Sequence, residues 1–215
     1  KKKIILSTGM ANMKEIRDAL KVLTSNGTKK KNITVMQCNT EYPTPIKDAN
    51  LKAMLTIKKK FRVNVGYSDH TEGIEASLAA VALGAKIIEK HFTLNKNMIG
   101  PDHKASIVEK ELINLVQGTR KISFALGDGI KRVSSSEKRN IKIARNSLVA
   151  AINIKKGNKF TMKNIIAKRP GTGISPMKLF RVIGKIAKKN FIQDELIKLW
   201  KKFVLLLHQE LILEH

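Results

Sequence analysis

Over the first 126 residues the apolar positions repeat one pattern four times: a short apolar run, a polar loop, and a stretch with helical periodicity. The first run, Ile4-Ile5-Leu6, has the continuous apolar character of a strand buried on both faces. Beyond Ser7-Thr8-Gly9, Asn12 with Glu15 three residues later has the spacing of a capping box. Ile16, Ala19, Leu20 and Leu23 then share one helical face, and Gly27 is placed to end the helix. The second repeat predicts a strand near residues 33–37, a proline-rich loop, and a helix after Asp48 carrying Leu51, Met54 and Leu55. The third predicts a strand near residues 61–65 and a helix after Gly73 with Ile74, Leu78 and Val81 on one side. The fourth predicts a strand near residues 85–90, a long loop, and a helix opened by Ser106 with Glu109.

Four successive strand–loop–helix units imply an α/β fold whose parallel strands are joined by right-handed crossovers. Either a doubly wound sheet or half of a (β/α)8 barrel satisfies that pattern, and both place their chemistry at the C-terminal ends of the strands. After Leu126 the pattern changes. Gly127-Asp128-Gly129 and Ser134-Ser135-Ser136 read as a linker over residues 127–139. Residues 147–154 and 160–168 are short β-like runs separated by Lys156-Gly157-Asn158, and a turn-rich segment, 169–176, follows. A second, small β-rich domain is therefore expected over residues 140–200. The tail, 201–215, reads as an amphipathic helix or a non-native addition.

Composition narrows the classes. The chain has 215 residues, 42% of them hydrophobic and 27% charged, as in a globular protein. No run of about eighteen apolar residues occurs, so no membrane span is expected, and the opening apolar run is too short for a signal peptide. The single cysteine, Cys38, cannot form an internal disulfide, which fits a cytoplasmic location. The formal net charge of +25 comes mainly from lysines spread along the chain. With few arginines to read bases and only 5% aromatics to stack on them, a solvated surface is favoured over nucleic-acid binding. A positive field also suits an anionic small substrate.

Three strand-end loops carry polar clusters: residues 38–45, residues 66–71, and the segment from Glu89 to His103. Consecutive strands would place His70 and His91 at neighbouring strand ends, where two imidazoles could share one divalent metal; an ordinary structural role for the Asp69-His70 pair remains open on spacing alone. Ser7-Thr8-Gly9 reads either as helix-entry chemistry or as hydroxyl and N–H donors for phosphate.

Seven segments in order carry a resemblance: Leu6-Ser7-Thr8-Gly9-Met10-Ala11, residues 37–45, 66–71, 89–93, 100–103, 145–150 and 168–176. Together they resemble the N-acetylneuraminate and legionaminate (sialic-acid-type nonulosonate) synthase family across residues 1 to about 199. The resemblance implies the C-terminal half of a (β/α)8 TIM barrel, residues 1–126, followed by a small antifreeze-like (SAF-type) domain. It implies metal-assisted condensation of phosphoenolpyruvate with an N-acetyl amino-sugar aldehyde, releasing phosphate. On matching positions, His70 and His91 resemble the metal ligands, for manganese in preference to magnesium. Ser7, Thr40 and Ser68 resemble phosphoenolpyruvate contacts, and Tyr42 and Asp102 sugar-site residues. Arg169 resembles a second-domain arginine that reaches the partner's active site, so a domain-swapped homodimer is expected.

Only four of the eight barrel units are visible in the sequence, and the first residue is not methionine. The expectation is therefore either a fragment of a complete synthase or a truncated chain that is inactive alone. The alternative is a non-catalytic sugar- or phosphate-binding remnant of such a synthase.

Overall fold

The computed structural model describes residues 2–199, which divide into two compact units between Ile130 and Lys131. In the first unit, strands β1 (Ile4–Ser7), β2 (Ile33–Cys38), β3 (Asn64–Asp69) and β4 (Ile88–Lys90) form one parallel sheet. Helices α1 (Met13–Ser25), α2 (Lys52–Phe61), α3 (Glu75–Ala82) and α4 (Glu109–Leu126) each follow one strand. Spatial order equals chain order, β1-β2-β3-β4, with no return to the middle of the sheet. A doubly wound sheet reverses direction at a switch point, whereas a barrel keeps adding strands on one side. The unit therefore has the arrangement of half a barrel.

Helix α1 starts as the sequence predicts. Asn12 Oδ1 accepts from the N–H groups of Lys14 and Glu15, and the Glu15 carboxylate accepts the Asn12 N–H at 2.7 Å. Ile16 and Leu20 are buried in the core with Ile33, Val35, Met54, Ile57, Phe61, Val63, Val65 and Tyr67.

Several local expectations shift, among them β1, which is not buried on both faces because Ile5 is exposed. Phe61 ends α2 instead of opening a strand, because it shares a helical face with Met54 and Ile57, all three buried. Arg62 then turns the chain at φ 56°, and β3 begins at Asn64, while Leu55 is exposed. In α3 the small side Ala76, Ser77 and Ala80 is the buried one, and the larger side chains are only partly buried. Leu78 instead meets α4 where Gly118 leaves room: a Cβ there would lie 2.7 Å from Leu78 Cδ2. Finally, α4 starts at Glu109 rather than near Ser106. Ile107 is held extended by a parallel bridge to Phe92, so the N–H of Val108 is capped by the Glu111 carboxylate at 2.9 Å.

In the second unit, β5 (Ser147–Ala150) and β6 (Ile165–Lys168) pair antiparallel. Two short helices, α5 (Ile141–Ala144) and α6 (Leu179–Val182), and 3-10 turns at Lys138–Asn140 and Pro176–Lys178 accompany them. Its core contains Leu148, Ala150, Ile154, Phe160, Ile165, Val182, Ala187, Phe191 and Ile197, with the Phe160 and Phe191 rings 5.6 Å apart. Isolated bridges Ile154↔Phe191 and Lys159↔Ile186 extend the pairing beyond the two strands. Among the described residues no helix is long and apolar enough to cross a membrane. The tail expectation, 201–215, lies outside the described residues.

Candidate functional site

Parallel pairing sets the site. In the β3–β4 register Ser68 faces Glu89 and Asp69 faces Lys90, so His70 and His91 are the next residues on two adjacent strands. Side chains alternate along a strand, so Ser68 and Glu89 lie on one face and Asp69 and Lys90 on the other. The contacts agree: Ser68 Oγ donates to Glu89 Oε1 at 2.9 Å, and Lys90 Nζ lies 3.0 Å from Asp69 Oδ2.

The two imidazoles converge, with ring centroids 5.1 Å apart and planes nearly perpendicular. The Tyr42 ring packs on both, 4.2 Å from His70 and 5.2 Å from His91. Tyr42 is brought there by the loop after β2, which is tied to the loop after β3 by the Thr44 N–H donating to the His70 carbonyl at 2.8 Å. His70 is only 7% exposed, and its Nδ1 donates to the Asn39 carbonyl at 2.6 Å. A carbonyl can only accept, so this bond fixes the proton on Nδ1 in the neutral ring and leaves the Nε2 lone pair available. Nε2 lies 3.4 Å from Ser68 Oγ, whose proton goes to Glu89.

Asp102 Oδ2 sits 3.8 Å from His91 Nδ1, an electrostatic contact rather than a hydrogen bond. Asp102 adopts φ 66°, which aspartate tolerates, and its carbonyl accepts from the N–H groups of Ala105 and Ser106 and from Ser106 Oγ. His103 has a structural part, its Nδ1 2.8 Å from Thr93 Oγ1 within the same loop.

The structure thus brings Tyr42, Ser68, His70, His91 and Asp102 together. Ser7 and Thr40 lie farther along the same rim. Ser7 ends β1, two strands from β3, which at about 4.8 Å per strand puts its backbone roughly 10 Å from β3. Thr40 is exposed and packs over the β1 loop: a Cβ on Gly9 would lie 2.5 Å from Thr40 Cγ2. The neighbouring Thr8 is a buried structural residue, its Oγ1 donating to the Met36 carbonyl at 2.6 Å. Arg169 belongs to the second unit, directly after β6, and is exposed. Its loop is held by Ser147, whose Oγ donates to the Pro170 carbonyl at 2.6 Å and accepts the Gly173 N–H at 2.8 Å.

Sequence reasoning missed Glu89, the Asn39 carbonyl, and the buried set around Asp69. Burial pushes the Tyr67 phenol well above its usual range, and the nearby Asp69 carboxylate adds to that, so Tyr67 stays a neutral donor beneath the site. The available signal was positional: an acid before one histidine and a base before the other, at matching points of consecutive repeats.

For a divalent cation the donor set is a pair of imidazoles. Among the described residues no group of three or more His, Cys, Asp or Glu side chains is arranged to hold a metal. His70 Nε2 and an imidazole nitrogen of His91 would fit such an ion as two ligands, leaving its other positions to water and substrate.

Residues 1–131 match the NeuB family model, and residues 145–201 match the SAF domain model. The chain is 59% identical over 197 residues to the N,N'-diacetyllegionaminic acid synthase of Campylobacter jejuni, covering 92% of this chain and 59% of that protein. Among solved structures it resembles the N-acetylneuraminic acid (sialic acid) synthetase of Leptospira borgpetersenii, with TM-score 0.58 and 40% identity over 65% of this chain and 48% of that one. It also resembles a spore coat polysaccharide biosynthesis protein of Bacillus subtilis, with TM-score 0.55 and 30% identity over 93% of this chain and 62% of that one. The chain therefore spans less than two thirds of the length of these relatives. The family match over residues 1–131 and the 59% identity over 92% of the chain agree, and the chain belongs to the NeuB family of sialic-acid-type synthases.

Proposed function

We propose that this chain supplies the metal- and sugar-facing part of a nonulosonate synthase that joins phosphoenolpyruvate to an N-acetyl amino-sugar aldehyde. In that reaction C3 of phosphoenolpyruvate bonds to the aldehyde carbon, water adds oxygen to C2, and the C2–O bond to phosphate breaks. The observation that carries the reading is the convergence of Tyr42, His70, His91 and Asp102 at adjoining ends of parallel strands.

His70 and His91 would hold a divalent cation, manganese in preference to magnesium. A cation bound there polarises the aldehyde oxygen and offsets the charge developing on it. The chain's own groups prepare that position. The Asn39 carbonyl presents His70 Nε2 in its deprotonated form, and Ser68 and Glu89 border it. Tyr42 packs against both rings, while the Asp102 carboxylate stands beside His91 where sugar hydroxyls would approach. Ser7 and Thr40 place hydroxyls on the same rim, suited to phosphate or carboxylate oxygens. Arg169 would hold the acyl group of a sugar bound in a partner subunit, which makes the working form a homodimer.

The test is a chimera in which residues 1–199 replace the matching segment of the Campylobacter jejuni relative. The reading expects EDTA-sensitive product from phosphoenolpyruvate and that enzyme's amino sugar, lost on His70→Ala or His91→Ala. A folded chimera that makes no product, or one indifferent to both substitutions, would sink it.

A further inference from the structure

Directly behind the two histidines lies a buried ion pair to which the proposed chemistry assigns no task. Lys90 Nζ is 3.0 Å from Asp69 Oδ2, with side-chain exposures of 3% and 0%. Every acceptor direction of the carboxylate is used: Oδ1 takes the N–H and the hydroxyl of Thr71 at 2.9 and 2.8 Å, and Oδ2 takes Ser77 Oγ at 2.5 Å. Lys90 Nζ also donates to the Thr71 carbonyl at 2.7 Å. Each ion immediately precedes a histidine, and the two ions face each other in the β3–β4 register.

We infer that Asp69 and Lys90 are positioning residues whose buried pair sets the spacing and orientation of His70 and His91, and with them the affinity of the two-histidine site for a divalent cation. The inference rests on the metal reading above. Asp69 clamps Thr71 from its side chain and Lys90 clamps it from the opposite strand, so His70 is fixed at both neighbours. That rigidity keeps Nδ1 aimed at the Asn39 carbonyl. Because Lys90 spans from β4 to Thr71, the same clamp holds the two histidine-bearing strand ends together. Groups behind metal ligands change affinity by orienting the ligands, without touching the ion.

Removing one ion alone leaves the other buried without a partner, and such a variant can fail by unfolding. The decisive variant is therefore the neutral double substitution Asp69→Asn with Lys90→Met in the 215-residue chain, its folding checked by backbone amide spectra. The measurements are the ring-nitrogen NMR shifts of His70 without metal and a Mn2+ titration of both histidine rings. In the parent, His70 shows the Nδ1-protonated tautomer, and Mn2+ broadens both rings together. In the folded double variant, the tautomers of His70 mix and Mn2+ affinity falls about ten-fold or more. A folded double variant with the parent's His70 tautomer and the parent's Mn2+ titration overturns the inference. A parent that ignores Mn2+ defeats the metal reading, and the tautomer comparison then decides on positioning by itself.

Discussion

His70 Nδ1 donates to the carbonyl of Asn39 at 2.6 Å, so a residue of the β2 loop dictates which nitrogen of a β3-end histidine carries the proton. A backbone acceptor cannot be removed by substitution, which makes this tautomer a property of the loop's path. The ring-nitrogen shifts of His70 are expected to report Nδ1–H and a bare Nε2 in the neutral ring. Finding the proton on Nε2 would remove that atom as a metal ligand.

Gly9 and Thr40 meet so closely that a side chain at position 9 requires Thr40 to shift. A Cβ there would fall 2.5 Å from Thr40 Cγ2, so Gly9→Ala is expected to cost about 1–3 kcal/mol in chemical denaturation. Adding Thr40→Ser removes the obstructing methyl and is expected to return most of that loss. A double variant as unstable as Gly9→Ala alone would place the conflict elsewhere.

Ser147 is fully buried, and its hydroxyl both donates and accepts within the loop that carries Arg169. Ser147→Ala leaves the Pro170 carbonyl and the Gly173 N–H without that partner. The expected loss is about 1–3 kcal/mol in unfolding of the second unit, with faster amide exchange at Gly173. Unchanged exchange there would argue that other groups hold the loop.

Glu111 caps α4 through the Val108 N–H and pairs with Lys96, and the cap first and the ammonium second hold its carboxyl below the usual range. A depressed folded value gives stability that is present above the unfolded carboxyl range and is lost as pH falls through the folded value. The group is partly exposed, so the effect is modest. Glu111→Gln is expected to cost about 0.5–1 kcal/mol at pH 7 and progressively less below pH 4. A difference that stays constant from pH 7 to pH 3 would show that charge is not the cause.

Strand-end histidines and the capping box of α1 were legible because they depend on residues close in sequence. The boundary errors arose where one residue satisfied two patterns. Phe61 alternates with Val63 and Val65 like a strand residue, yet also lies on the helical face of Met54 and Ile57; packing chose the helix. Ser106 and Glu109 had the right spacing for a cap, but the bridge from Ile107 to Phe92 kept the chain extended there.

Sequence by itself determined the repeat of strand and helix, the change of character after Leu126, and the residues that cluster at strand ends, since periodicity and turn chemistry are local. Strand order was not local: both a doubly wound sheet and a half barrel fit the repeat, and only pairing decided for sequential addition. The same pairing turned Asp69 and Lys90, twenty-one positions apart, into a buried ion pair, and a carbonyl at Asn39 into the partner of His70. A charge is stable in an interior only beside its counter-charge, and that neighbour is supplied by register across the sheet rather than by position along the chain.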